Sequence, residues 1–212
     1  MSKVHAVPVS EWLSRAALRL SFPRLEPLPG RLLVASLSLT EPTFARTVVL
    51  LLDHDADGSL GLVLNRPSEW PVDDPLPVWS DYLVGPPVVF NGGPVSPEGV
   101  LALGASTRVF GQDATEYEGF RPVTARLGLV DLNQQPEEVS EVVRAVRIFA
   151  GYAGWSPGQL DVEIVEGAWY VVEGLSGDAF SDDPTGLWRS VLRRQPSELA
   201  FLTNLPADVE DN

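Results

Sequence analysis

The strongest constraint on this chain is a series of short apolar runs closed off by Gly, Pro or Asp, at 32–36, 47–53, 59–64, 88–90, 100–103 and 127–132. Runs of this length and make-up predict β-strands. Several are mostly apolar instead of alternating, and a strand of that kind is buried on both faces. The sheet they form must therefore be covered on two sides, by helices or by a second sheet layer. With 212 residues and 44% apolar composition, the chain can bury roughly 70% of its unfolded surface, so it builds one domain without cross-links. It contains no cysteine, which removes disulfide-scaffold, thiol-redox and thiolate-zinc readings.

Between and beyond the strands the pattern changes. Trp12, Leu13, Ala16, Ala17 and Leu20 share one helical stripe that ends before Pro23, predicting an N-terminal amphipathic helix that packs on the body. Pro23, Pro27, Pro29 and Gly30 follow as a stiff connector. The expected organisation is an appendage at 1–29, a domain at 30–205 and an acidic tail at 206–212. Within the domain, the proline-rich stretch 67–87 reads as irregular. A helix is expected from Pro136 to about Arg147 on Val139, Val142, Val143 and Val146, feeding a strand at 148–150. Stretches 160–165 and 168–172 around Glu166-Gly167 read as a hairpin. Asp183 as cap and Pro184 at the first turn open a last helix with Leu187, Trp188, Val191 and Leu192 inward; Arg189, Arg193 and Arg194 then suit its C-terminal dipole.

Charge is unevenly placed. Residues 1–31 carry Lys3, Arg15, Arg19, Arg24 and Arg31 against Glu11 and Glu26, whereas the whole chain has a net charge of −14. A body this acidic repels DNA, whose binding rests on phosphate neutralisation, so direct nucleic-acid contact is disfavoured. The single lysine, Lys3, leaves no candidate for Schiff-base or P-loop chemistry. No apolar stretch of about 18 residues or hydrophobic signal core is present, and a cytoplasmic protein is expected.

Three motifs invite a function and fail on chemistry. Asp53-His54-Asp55-Ala56-Asp57-Gly58 matches the start of an EF-hand loop, but its twelfth position is Leu64 where the bidentate glutamate belongs; a polar hairpin turn fits better. Gly154-Trp155-Ser156-Pro157-Gly158 matches a nucleophile elbow, but Pro157 has no N–H for the oxyanion hole. The sequence after it reads as a strand where an elbow opens a helix, and both histidines, His5 and His54, precede the serine. The adjacent pairs Asp73-Asp74 and Asp182-Asp183 suit loops and a helix cap. No metal and no cofactor is expected.

Five segments occur in order: Gly30-Arg31-Leu32-Leu33-Val34-Ala35, Phe44-Ala45-Arg46-Thr47-Val48-Val49-Leu50-Leu51, Gly61-Leu62-Val63-Leu64-Asn65-Arg66-Pro67, Phe90-Asn91-Gly92-Gly93-Pro94-Val95, and Gly151-Tyr152-Ala153-Gly154-Trp155-Ser156-Pro157-Gly158-Gln159-Leu160. Together they closely resemble the bacterial AlgH/YqgE family, from about Gly30 to Trp188. The resemblance implies an α/β (α+β) domain with a mixed, largely antiparallel, barrel-like sheet flanked by helices. It implies no established activity. Members are often labelled transcriptional regulators, through a link to exopolysaccharide control and not through a recognised DNA-binding element. This chain departs in its N-terminal helix, in Gly104 where many members have histidine, and in its C-terminal Asp-Pro-Ser-Leu-Asn motif, which is only loosely echoed.

Arg46 and Arg66 are the only cations between Leu32 and Ala105, one entering an apolar strand and the other leaving the next. A hairpin of those strands sets two guanidiniums side by side, each able to grip a carboxylate or phosphate. Thr47, Asn65 and Asn91 add polar groups. Gly92 and Gly93 allow close backbone approach or an anion-binding nest, and Tyr152, Trp155 and Gln159 can wall the site. The same residues also fit a purely structural role as internal pairs, turn formers and core. The expected function is a non-catalytic regulatory module for a small anionic ligand or a protein partner. The alternatives are an enzyme using Arg, Asn and carboxylate groups, and a regulator acting on DNA. An acidic surface with exposed aromatics also permits a homodimer.

Overall fold

The computed structural model describes residues 25–72, 76–111, 117 and 119–204. The expected helix over 10–22 and the acidic tail lie outside the described residues. The strands are β1 (Leu32–Ala35), β2 (Val48–Asp55), β3 (Gly58–Val63), β4 (Pro67–Pro71), β5 (Val88–Asn91), β6 (Val95–Ser106), β7 (Phe120–Pro122), β8 (Leu127–Val130), β9 (Val143–Trp155) and β10 (Trp169–Val172). Four α-helices are described: α1 (Pro136–Val139), α2 (Gln159–Val165), α3 (Leu187–Arg193) and α4 (Ser197–Phe201).

The strands pair in the order β10-β1-β2-β3-β9-β6-β8-β7, and β4 and β5 branch off beside β9. All pairs are antiparallel except β5 with β9. The result is a curled, half-barrel antiparallel sheet with a few helices against it, as the resemblance implied. Burial on both faces follows the apolar runs. Along β2, Val48, Leu50 and Leu52 enter one core with Trp188, Val191 and Leu192 of α3. Val49 and Leu51, pointing the other way, enter a second core with Leu160 and Ile164 of α2 and with Trp155 and Trp169. A third cluster, around Trp79, Phe120, Val142 and Ile148, fills the far end.

The β2–β3 hairpin forms as expected, with Val49 opposite Val63 and Asp55 opposite Gly58. The EF-hand-like stretch is its turn, where the Asp57 N–H donates to Asp55 Oδ1 at 2.7 Å.

Four local expectations are corrected. Residues 159–165 are helix α2 and not the first arm of a hairpin. Leu160 and Ile164 are apolar at a spacing that serves both periods, and here the i,i+4 face is the buried one while Val162 is exposed. Accordingly Gly154-Trp155-Ser156-Pro157-Gly158 does run from strand into helix; the missing Pro157 N–H still argues against an elbow. The helix expected over 136–147 opens with a capping box between Gln135 and Glu138 and stops at Val139. From Val143 onward the β-branched residues join β9, which suits their stiff χ1. Stretch 67–87 holds β4 and a 3-10 turn, Pro77–Tyr82, with Trp79 buried. Helix α3 begins at Leu187, after a turn in which Asp183 Oδ1 accepts from the Gly186 N–H at 2.9 Å.

Arg147, in the middle of β9, is 2% exposed. Its guanidinium donates to the carbonyls of Ala179 at 3.0 Å, Ser181 at 3.1 Å and Gly85, and lies 4.4 Å from the Phe90 ring centroid. Burial pushes its pKa down to about 10, with the charge of Asp182 acting the other way, so it remains a cation at neutral pH. Arg147→Leu leaves three carbonyls without their donor. The expected loss in urea unfolding is about 3 kcal/mol; a loss below about 1 kcal/mol would show that Arg147 does not hold these loops.

Candidate functional site

The open end of the β2–β3 hairpin gathers part of the expected set. Asn65 is 2% exposed; its Oδ1 accepts from the Val48 N–H at 2.9 Å and its Nδ2 donates to the Arg46 carbonyl at 2.9 Å. The side-chain amide thus stands in for a peptide group and extends the ladder past the end of β3. Thr47 is fully buried, and its Oγ1 donates to the Phe44 carbonyl at 2.7 Å. These bonds hold Arg46 at φ 56, in the left-handed region that costs a residue with a Cβ about 1–3 kcal/mol.

Arg46 is half-buried, its guanidinium 5.0 Å from the Trp188 ring centroid, within cation–π range. Arg66, also half-buried, donates from Nη2 to the Ala45 carbonyl. Burial lowers its pKa from the ordinary guanidinium value. Among the described residues no carboxylate lies within 4.0 Å of Arg66. The exposed Asn91 is adjacent, since its N–H donates to the Arg66 carbonyl at 2.8 Å.

The two glycines play a structural part beside this end. A Cβ on Gly92 would lie 2.3 Å from the Gly151 carbonyl oxygen, and one on Gly93, at φ 152, would lie 2.2 Å from the Tyr152 backbone. They are where β5 and β9 cross in backbone contact. Tyr152 is half-buried, opposite Val95 and packed against the core that α3 covers.

Trp155 and Gln159 are placed elsewhere. Trp155 lies in the core under α2, where its Nε1 donates to Glu163 Oε2 at 2.9 Å. The Trp169 Nε1 reaches the same oxygen at 2.8 Å, and Gln159 Nε2 donates to Oε1 at 3.0 Å. Phe44, two residues before Arg46, joins the Trp155 and Trp169 rings at 6.3 and 5.7 Å. The sheet separates this aromatic group from the Arg46–Trp188 contact. Glu163 was invisible to sequence reasoning because its two indole donors come from β9 and β10.

Chemistry for catalysis is sparse among the described residues. His54 Nδ1 is 2.7 Å from Ser59 Oγ, and Nε2 is 3.8 Å from Asp161 Oδ1. Ser59 is nonetheless an interior strand residue paired with both His54 and Trp155, so the contact reads as a cross-strand pair. At Gly104 a Cβ would lie 2.5 Å from Val130 Cγ2, making that glycine a packing position here. Among the described residues, no three His, Asp or Glu side chains converge as metal ligands, and no helix is long and apolar enough to cross a membrane.

The AlgH-like family model matches residues 32–200. A UPF0301 protein of Streptomyces avermitilis is 52% identical over 181 residues, spanning 85% of this chain and 93% of the relative. One from Mycolicibacterium smegmatis is 45% identical over 184 residues, 87% and 90% of the two chains. A crystal structure from Corynebacterium diphtheriae superposes with TM-score 0.80 at 32% identity, covering 89% of this chain and 98% of the other. The solution structure of AlgH from Pseudomonas aeruginosa gives TM-score 0.61 at 25% identity, over 88% and 100%. The matched stretch takes in the whole sheet, the hairpin end with Arg46 and Arg66, and the crossing of β5 with β9: this chain belongs to the AlgH-like, UPF0301 family.

Proposed function

We propose that this protein is a non-catalytic regulatory module that binds a small anionic ligand or a protein partner at the open end of the β2–β3 hairpin. Arg66 is the recognising cation and Arg46 its neighbour. Asn91 offers an exposed amide beside them, Thr47 and Asn65 fix the backbone that carries the arginines, and Tyr152 with the Gly92-Gly93 crossing bounds the site. Trp155 and Gln159 support the reading only through the packing of Phe44. The observation that carries it is the state of Arg66: a half-buried, partly desolvated guanidinium bonded to one carbonyl, with no carboxylate in reach among the described residues. A cation removed from water gains most from an anion that makes charge-assisted, bidentate bonds. The strained backbone of Arg46 agrees with it, since such strain gathers at ligand clamps.

Thermal-shift screening with inorganic phosphate, nucleotides, sugar phosphates and dicarboxylic acids tests the site. An anion at a hundred times its Kd adds about 2.7 kcal/mol, which raises Tm by roughly 5–10 °C in a chain of this size. Arg66→Ala is expected to abolish the shift and Arg46→Ala to reduce it severalfold. An inert panel, or stabilisation that survives both changes, overturns anion recognition at this end.

The same reading predicts that the full chain does not retard duplex DNA, even at low ionic strength, because its net charge is −14. Retardation that weakens steeply with added salt would instead establish phosphate neutralisation and turn the assignment toward a DNA-acting regulator.

A further inference from the structure

Asn91-Gly92 is the one Asn-Gly pair of the chain; Asn65, Asn133 and Asn204 precede Arg, Gln and Leu. Glycine leaves the amide nitrogen that follows an asparagine uncrowded, and such an asparagine closes most readily on its own backbone. The Gly92 nitrogen loses its proton to hydroxide and attacks Asn91 Cγ. The new N–Cγ bond closes a succinimide ring, the Cγ–Nδ2 bond breaks, and ammonia leaves with a proton from water. A second water opens the ring at one carbonyl or the other, giving aspartate or isoaspartate with a new carboxylate.

In the closed sheet this reaction has no room. The Asn91 side chain is exposed, but Gly92 is buried and its N–H is donated to the Ala150 carbonyl at 2.8 Å. A substituent on its Cα would meet the Gly151 carbonyl oxygen at 2.3 Å and Leu62 Cδ2 at 3.1 Å, so the amide has no space to turn toward Asn91 Cγ. The main chain is fixed on both sides as well, by Asn91 N–H on the Arg66 carbonyl at 2.8 Å and Val63 N–H on the Gly92 carbonyl at 2.9 Å.

The seam that guards the pair is short. β5 meets β9 through two register pairs, Phe90 with Phe149 and Asn91 with Ala150, and it does so in parallel, the less stable pairing per residue. On its other side β5 carries β4, whose ladder is interrupted between Pro67 and Pro71 and whose residues 69–71 are exposed. A unit with so few buried contacts opens without global unfolding.

We propose that Asn91-Gly92 is a deamidation site guarded by the crossing of β5 with β9: opening of the β4–β5 pair lets it react, and the product shuts the anion site by setting a carboxylate across from Arg66. Pro67 lies opposite Phe90, which puts residue 91 opposite Arg66, with Cβ atoms about 4.5–5.5 Å apart for such neighbours. An aspartate there faces a guanidinium that has no carboxylate within 4.0 Å among the described residues. Isoaspartate instead lengthens the main chain by a methylene at a crossing with no space for a Cβ, so β5 does not reseat. The shutting of the site rests on the anion reading above; the guarded chemistry and the pairing with Arg66 do not.

The full chain is incubated at mildly alkaline pH in heavy-oxygen water, folded and in urea, and label at residue 91 is followed by peptide mass mapping. It is expected to accumulate at least about tenfold more slowly in the folded chain. The protection at 91 is also expected to be at least about tenfold smaller than the hydrogen-exchange protection of the buried Leu51 amide, which donates to the Arg31 carbonyl. Equal rates folded and unfolded would overturn the guard, and equal protection at 91 and Leu51 would overturn local opening. At low ionic strength Asn91→Asp is expected to melt about 1–4 °C above Asn91→Ala, a gain that disappears at high salt and with Arg66→Gln. No gain, or a gain that survives both, overturns the pairing. Phosphate-induced stabilisation is expected to persist in Asn91→Ala and vanish in Asn91→Asp; its survival in Asn91→Asp overturns the shutting of the site. A wild-type chain unmoved by any anion overturns the anion reading and the shutting with it, whereas the rates and the pairing at 91 are read without an added ligand.

Discussion

The structure depends on the crossing of two backbones, Gly92-Gly93 against Gly151-Tyr152. The Gly92 N–H donates to the Ala150 carbonyl and the Val63 N–H to the Gly92 carbonyl, both within 3 Å. The contact is so close that a Cβ on Gly92, Gly93 or Gly151 would meet carbonyl oxygen or main chain at 2.2–2.6 Å. β5 joins β9 in parallel here, while the strands on either side of β9 run antiparallel to it. Thirteen-residue β9 is thereby held by β3, β5 and β6 together, and the sheet curls about it. Any side chain at the crossing would force the Gly92-Gly93 segment, and β5 with it, away from β9.

The hairpin end inherits its character from burial on both faces. A strand immersed in two cores has no water to satisfy its terminal peptide groups, so the chain supplies an amide, Asn65, to finish the ladder at Val48 and Arg46. The left-handed turn at Arg46 and the buried hydroxyl of Thr47 belong to the same solution. The two guanidiniums are exposed only in part because the strand ends beside them, 48–52 and 61–63, are buried. One rests on Trp188, whose own Nε1 is anchored at 2.8 Å to the Ala35 carbonyl; the other leans on the Ala45 carbonyl.

How much of this was legible in the sequence varies with the distance over which the deciding interaction acts. The strands and the β2–β3 hairpin were readable because apolar runs and a polar turn are local signals, and the adjacency of Arg46 and Arg66 follows from that pairing. Helix α2 reads as a strand in the sequence because Leu160, Val162 and Ile164 alternate, whereas the burial of Leu160 with Ile164 and the bonds of the Trp155 and Trp169 indoles to Glu163 favour the helical turn. The valines of 139–146 misled in the opposite direction, since their helical spacing conceals β-branched residues that β9 recruits. Arg147 gave no signal, because its partners at Gly85, Ala179 and Ser181 lie 62, 32 and 34 residues away.

These distances also explain why the expected site divides. Trp155 and Gln159 share a segment with Tyr152, so a linear reading sets all three around the arginines. In a strand, residues three apart point to opposite faces, and Tyr152 and Trp155 accordingly enter different cores. Each core then makes its own demand on polar groups. On the α2 side, two indoles and an amide converge on the carboxylate of Glu163, which closes that group among its own members. On the α3 side the converging groups are cations, an indole face and carbonyl oxygens, and Arg66 meets no carboxylate among the described residues. Were an external anion to bind at Arg66 as proposed, no ion pair among the described residues would have to be broken first, which keeps the cost to the fold low.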